Sequence, residues 1–241
     1  MFVVMSALIA GSVLGQPPEL PPFIKERAKT TTFYYKSPDP TLGPKLLKEL
    51  LKYENIGHRF FVDKEHVLNL IGAQFGDIAA GHPKLVREYE AEFAKAHPLG
   101  RRVIIRALMN CGDKETIAKV ASWSQESAFS ENKTDLDWLK AHLEAPKRVS
   151  VRDKAAVEPK DLDFLWVNFF ITGEYAPISR ILDVLDQPEK ANNATLQRVA
   201  RWSLNSNADQ HPALVELLKK HVKDRPAASR KHIEQILNPV P

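Results

Sequence analysis

The chain has 241 residues, 44% of them hydrophobic and 27% charged, an ordinary globular composition that provides for a real core. Its net charge of +4 is mild for that length and requires neither a nucleic acid nor an anionic membrane as partner. The single cysteine, Cys111, excludes an internal disulfide, so the fold must rest on packing; the seventeen prolines against ten glycines stand mostly where helices would start, which favours many short helices.

Residues 1–15, MFVVMSALIAGSVLG, are uncharged and apolar or small, with Val13 and Gly15 ahead of a cut after Gly15. We read them as a signal peptide, although no Lys or Arg precedes the apolar run. No later stretch reaches the ~18 apolar residues of a membrane span, so the expectation is a periplasmic or secreted chain with no integral membrane segment once the signal is removed. Residues 16–41 are expected to form an extended N-terminal arm. Its lead, Gln16 to Pro22, is rich in proline, Phe23 to Lys29 adds one short helix, and Thr30 to Tyr35 combines β-branched and aromatic residues, with Phe33 and Tyr35 as anchors.

A helical lobe is expected over 42–146. Leu42, Leu46, Leu47, Leu50 and Leu51 form an amphipathic stripe. Asp63 is placed to cap a helix with Val67, Leu68, Leu70, Ile71, Phe75, Ile78 and Ala79 on its apolar face. After Gly81-His82, Pro83 opens a helix with Leu85, Val86, Tyr89 and Phe93 inward and Lys84, Arg87, Glu88, Glu90 and Glu92 toward water. His97-Pro98 begins another, Gly112 breaks it, and Asp113 through Trp123 forms the next. Ser124 to Thr134 reads as a polar loop, and Asp135 to Ala145 as a helix carrying Leu136, Trp138, Leu139 and Leu143.

Residues 147–160 are charged and without periodicity, and are taken as a linker to a second lobe over 161–241, with one continuous domain over 42–241 as the alternative. This lobe is organised around Asp161 to Leu185. Leu162 to Ile171 is apolar nearly all round and therefore a buried helix. Gly173 closes it, and Ile178, Ile181, Leu182 and Leu185 form the inner face of a second helix. Helices follow from Thr195 to Asn207, Pro212 to Val222 and Pro226 to Leu237. Gly81-His82-Pro83-Lys84-Leu85-Val86 parallels Gln210-His211-Pro212-Ala213-Leu214-Val215, and residues 108–120 can be laid over 169–181 with Gly112 on Gly173 and Ile117 on Ile178.

This rhythm of paired helices, from Asp63 to Val222, resembles HEAT or armadillo-type repeats. The fold class expected is therefore all-α, as stacked antiparallel helical hairpins. The resemblance implies a concave face that binds a partner.

Common catalytic signatures are absent, and no two of the eight histidines have the spacing of paired ligands on one helix face, so neither a cofactor nor a metal is expected. His82, His97 and His211 read as half-exposed helix-entry residues. Asp161 and Asp163 beside the aromatic run suggest an acid and base pair of a glycan or cell-wall hydrolase, but first-turn acids that complement the helix dipole account for both, as they do for Asp135 and Asp137. The basic run Lys219 to Lys231 has no interleaved aromatic residues and reads as a solvated face rather than a nucleic-acid site. Asn132-Lys133-Thr134 and Asn193-Ala194-Thr195 match the N-glycosylation pattern. The functional expectation is a non-enzymatic protein-binding or scaffold module. If it has a site, the sequence places it where Trp166, Tyr175 and Trp202 provide apolar walls and Asn168 and Asn205 the polar groups. Trp202 and Asn205 are three apart and share a helix face, whereas Trp166 and Asn168 are two apart and do not.

Overall fold

Prolines begin the helices where the sequence puts them: Pro83, Pro98, Pro159 and Pro212 each stand in the first turn of a helix, where the missing N–H is not needed. The computed structural model describes residues 22–52, 65–145, 155–188 and 193–239. Among these the chain is all-α, with no strand. The signal peptide expected at 1–15, the lead at 16–21, the Asp63 cap and residues 147–154 of the linker lie outside the described residues. The described part falls into two compact units, 22–52 with 65–145 and 155–188 with 193–239.

The first unit contains α1 (Pro22–Thr31), α2 (Leu42–Leu51), α3 (Glu65–Ala79), α4 (Pro83–Phe93), α5 (Pro98–Cys111), α6 (Lys114–Trp123) and α7 (Lys133–Glu144). Helix α5 lies at its centre and packs on α3, α4 and α7. The approach of α3 to α5 is unusually close. A Cβ on Gly72 would stand 2.4 Å from Arg106 Cβ and 2.8 Å from the Val103 carbonyl oxygen, and one on Gly76 would stand 2.6 Å from the Ala107 carbonyl oxygen. These two glycines, four apart on one helix face, let the backbones meet where any side chain would hold them apart. Around the crossing, Phe75, Tyr89, Phe93, Ile104 and Ile105 are fully buried. Phe93 stacks on Trp123 with centroids 4.1 Å apart and meets Phe129 edge-on at 5.2 Å.

Four expectations for this unit are corrected. The short helix expected at Phe23 to Lys29 is present and runs over Pro22–Thr31, and the threonines that suggested an extended segment bond back within it: Thr30 and Thr31 hydroxyls donate to the Glu26 and Arg27 carbonyls, and Thr32 to that of Ala28. The anchor that follows is Tyr34, which is buried, whereas Phe33 and Tyr35 are half-buried. The loop expected at 124–134 contains a 3₁₀ turn, Ser127–Asn132, held down by buried Phe129. Trp138, expected among the apolar residues of α7, is 44% exposed; it lies two positions from Leu136 and so on the other side of the helix, where the Arg106 guanidinium sits 4.3 Å over its ring.

The fourth correction is Glu90, whose side chain is 1% exposed. It stands four residues after Val86 and three before Phe93, on the inward face of α4. It is accommodated because cations reach it: Arg87 at 2.6 Å, Lys119 from α6, and the Thr116 hydroxyl, which donates at 2.7 Å. Arg87 also pairs with Asp113, the N-cap of α6, which accepts the Thr116 amide in a capping box. A buried carboxylate is tolerated only when paired in this way.

The second unit contains α8 (Pro159–Thr172), α9 (Tyr175–Leu185), α10 (Ala194–Ala208), α11 (Pro212–His221) and α12 (Ala227–Leu237). Helix α8 begins at Pro159, so that the last two residues of the expected linker are helical, with Glu158 as N-cap. It is buried all round, with Trp166 and Phe169 fully enclosed. Gly173 at φ 67° closes it in the left-handed region, and α9 returns with Ile178, Ile181, Leu182 and Leu185 in the core. Helices α9 and α10 pack on each other, α10 also meets α8, α11 and α12, and α12 meets α9. Gln197 ties α10 to the end of α9 by donating to the Val184 and Gln187 carbonyls at 3.2 and 2.8 Å.

His211, expected half-exposed, is buried. Its ring stacks on Phe170 with centroids 4.9 Å apart and lies edge-on to Phe169, so the entry to α11 is a core contact.

Candidate functional site

Helix α10 has two sharply different sides. Leu196, Gln197, Ala200, Ser203, Leu204 and Asn207 are buried, and the donors of the polar members of that set are bonded internally. Ser203 Oγ donates to the Ala200 carbonyl at 3.0 Å and Asn207 Nδ2 to the Ser203 carbonyl at 2.9 Å. On the opposite side Arg198, Arg201, Trp202 and Asn205 are exposed, and Trp202 keeps 47% of its surface in solvent. With 3.6 residues per turn, positions 198, 202 and 205 fall on one stripe and 201 beside it. Neither Arg198 nor Arg201 forms an ion pair among the described residues. The main chain at Arg201 bonds His232 of α12, whose imidazole is held below its ordinary value by burial.

The other three residues expected at a site lie elsewhere. Trp166 is fully buried, stacked on Phe170 at 6.0 Å and edge-on to Phe169 at 5.9 Å. Its indole Nε1 is buried without a hydrogen-bond partner among the described residues. Asn168 is 3% exposed, and its carbonyl accepts the Thr172 hydroxyl at 2.9 Å. Tyr175 is half-buried and stacks on His221 of α11, with centroids 3.8 Å apart and planes 10° apart; burial pushes its phenol up from the ordinary value. Trp202 and Asn205 therefore share a solvent-facing surface, while Trp166 and Asn168 belong to the core and Tyr175 to the α9–α11 contact. The five do not line one pocket.

Asp161 accepts the Val157 and Glu158 amides at 2.8 and 3.0 Å and completes a capping box at the start of α8. Asp163, expected at the solvent side of the same turn, is buried. Asp135 is likewise more than a dipole partner, since Arg102 and Arg106 reach it at 3.1 and 3.5 Å. Among the described residues no group of three or more His, Cys, Asp or Glu is placed to hold a metal ion, and no helix is long and apolar enough to cross a membrane.

In the basic run at 219–231, Lys219, Lys220, Lys223, Arg230 and Lys231 are exposed, as a solvated face requires, and Arg225 alone of the six is committed to the fold. Arg225 is 10% exposed and donates to Ser179 at 3.1 Å, Asp183 at 2.8 Å and Asp186 at 2.6 Å, while Asp186 in turn accepts the Ser229 amide and hydroxyl, each at 2.9 Å. This cluster fastens the start of α12 to α9. Lys219 pairs with Glu216, and Arg230 donates to the Lys223 and Arg225 carbonyls.

Two features escape the sequence-based expectation. Arg198 and Arg201 flank Trp202 at four and one positions before it, a pattern visible in the sequence but meaningful only once both prove unpaired. The Glu90 cluster has no local signal, because Lys119 and Thr116 come from the next helix but one. A comparison of the chain with protein-family models, with curated proteins and with solved structures finds no match.

Proposed function

We propose that the protein is a non-enzymatic binding or scaffold module that works outside the cytoplasm and receives a protein partner on the exposed face of α10. The observation that carries this reading is Trp202, 47% exposed on a helix whose other side is locked into the core. A half-exposed indole leaves on the order of 100 Å² of ring in water, or about 2–3 kcal/mol of burial not taken up by the fold. Tryptophans of this kind on a rigid support are the residues that anchor interfaces. The α3–α5 and α5–α7 packing, and likewise that of α8 with α10 and α10 with α12, is what stacked helical hairpins would produce, and such stacks offer extended binding surfaces. The extracytoplasmic location is supported by the uncharged apolar run at 1–15. The hydrolase alternative needs Asp161 and Asp163 on an open cleft, and with Asp161 used as a cap and Asp163 buried it has no supporting observation.

A pull-down with the exported full-length protein tests the reading. The wild type should retain a stable partner that Trp202→Ala loses, with the variant still folded by circular dichroism. Retention of the same partner by the variant would overturn the assignment of this face. N-terminal sequencing should find Gln16 or Pro17 first, and an intact Met1 in a cytosolic fraction would end the proposed location.

A further inference from the structure

We infer that the α10 face takes an acidic peptide segment of its partner, with an apolar side chain of that segment against Trp202 and its carboxylates against Arg198 and Arg201; this rests on the binding role proposed above and specifies the chemistry of the partner. Two exposed guanidinium groups stand one turn and one residue before the indole, and neither forms an ion pair among the described residues. Arg225 in the same unit, by contrast, is enclosed by Asp183 and Asp186. The nearest acid on the exposed stripe is Asp209, seven residues beyond Trp202 and so about 10 Å along the axis. Planar guanidinium groups bind carboxylates in two-point fashion, and an anchoring ring beside them supplies apolar contact that charge alone does not.

A lipid surface fits this face less well. Among the described residues of the second unit the exposed large hydrophobics are Val157 and Trp202, whereas a helix lying in a bilayer interface needs a broad apolar side. Single-stranded nucleic acid fits less well too, since binders of that kind stack successive bases on several aromatic rings.

The test uses the full chain and a short peptide of alternating Glu-Glu-Leu blocks, with a Lys-Lys-Leu peptide and phosphatidylglycerol vesicles as comparisons, followed by titration calorimetry. The acidic peptide should bind, weaken several-fold on raising salt to about 0.5 M, and lose about tenfold or more in affinity with R198E/R201E and with Trp202→Ala; the basic peptide should not bind. R198Q/R201Q, which removes charge without reversing it, serves if the first double variant is unstable. Equal affinity of the acidic peptide for wild type and R198Q/R201Q would overturn the inference, as would binding to vesicles but not to the peptide. If the partner recovered by pull-down requires Trp202 yet is indifferent to both arginine variants, the binding face stands and the acidic-peptide inference falls.

Discussion

Replacing Gly76 by alanine is the sharpest test of how the first unit is packed, because two opposite effects compete and the structure says which wins. In an isolated helix Gly→Ala stabilises by about 1 kcal/mol, since alanine loses less backbone entropy and glycine is the poorest ordinary helix former. At Gly76 the added Cβ would stand 2.6 Å from the Ala107 carbonyl oxygen and 2.7 Å from Asn110 Cβ, where ordinary contact begins at 3.4 Å. Both obstacles are fixed to the α5 backbone, so no rotamer change relieves them and α5 must retreat by about 0.8 Å. A gap of that size forfeits a quarter to a half of the dispersion attraction along the separated faces. Overpacking of this kind costs about 1–3 kcal/mol. Set against the helix gain, the expected outcome is a net loss of up to about 2 kcal/mol in place of the gain of about 1 kcal/mol, read as a lower urea midpoint with unchanged slope and a lower melting temperature. Gly72→Ala should behave alike, and the double variant should cost less than the two singles added, because the first displacement already makes room for the second. A Gly76→Ala protein more stable than wild type by the full helix gain of about 1 kcal/mol would refute the close crossing of α3 and α5.

The two tryptophans of the second unit should separate cleanly under the same measurement: Trp166→Ala, at a fully enclosed position, costs about 3–5 kcal/mol, whereas Trp202→Ala costs about 1–2 kcal/mol because half of its ring is already in water; equal losses would contradict the placement of Trp202. Arg87, together with the Thr116 amide, holds the Asp113 carboxyl down at about 2, below its ordinary 3.8. The stabilisation from this depressed acid is therefore present above pH 4 and is lost as pH falls toward 2. Because Asp113 is 42% exposed, screening reduces its contribution to about 1 kcal/mol. Asp113→Asn should flatten the stability profile between pH 4 and 2, and a profile unchanged by that substitution would sink the assignment. Burial, reinforced by Asp77, Glu90 and Asp113, pushes the Cys111 thiol up to about 12, and its Sγ turns back to the Ala107 carbonyl at 3.3 Å. It should resist iodoacetamide at pH 8 in the native protein and react on unfolding, whereas rapid native alkylation would show an accessible thiolate.

Periodicity and breaks in the sequence determined the class of fold and most helix starts, because both are local. Pro83, Pro98 and Pro212 open helices, Gly173 closes one, and the apolar run from Leu162 to Ile171 can satisfy its surroundings only by burial. The neighbours of a side chain are not local, and there the tertiary structure decided. Glu90 occupies an inward position that its chemistry alone would refuse, and it is buried there because Lys119 and Arg87 converge on it. The threonines at 30–32 have strand propensity, yet each finds a carbonyl one turn back, so the helix continues where intrinsic preference opposes it. At the candidate site the shared face of Trp202 and Asn205 was legible from their spacing, as was the separation of Trp166 from Asn168. The sequence could not show which helix face would be left uncovered, since that depends on how α8, α9, α11 and α12 surround α10. The same holds for Gly72 and Gly76: their four-residue spacing is plain in the sequence, but only the arrival of α5 against them turns two weak helix formers into the condition for a close backbone contact.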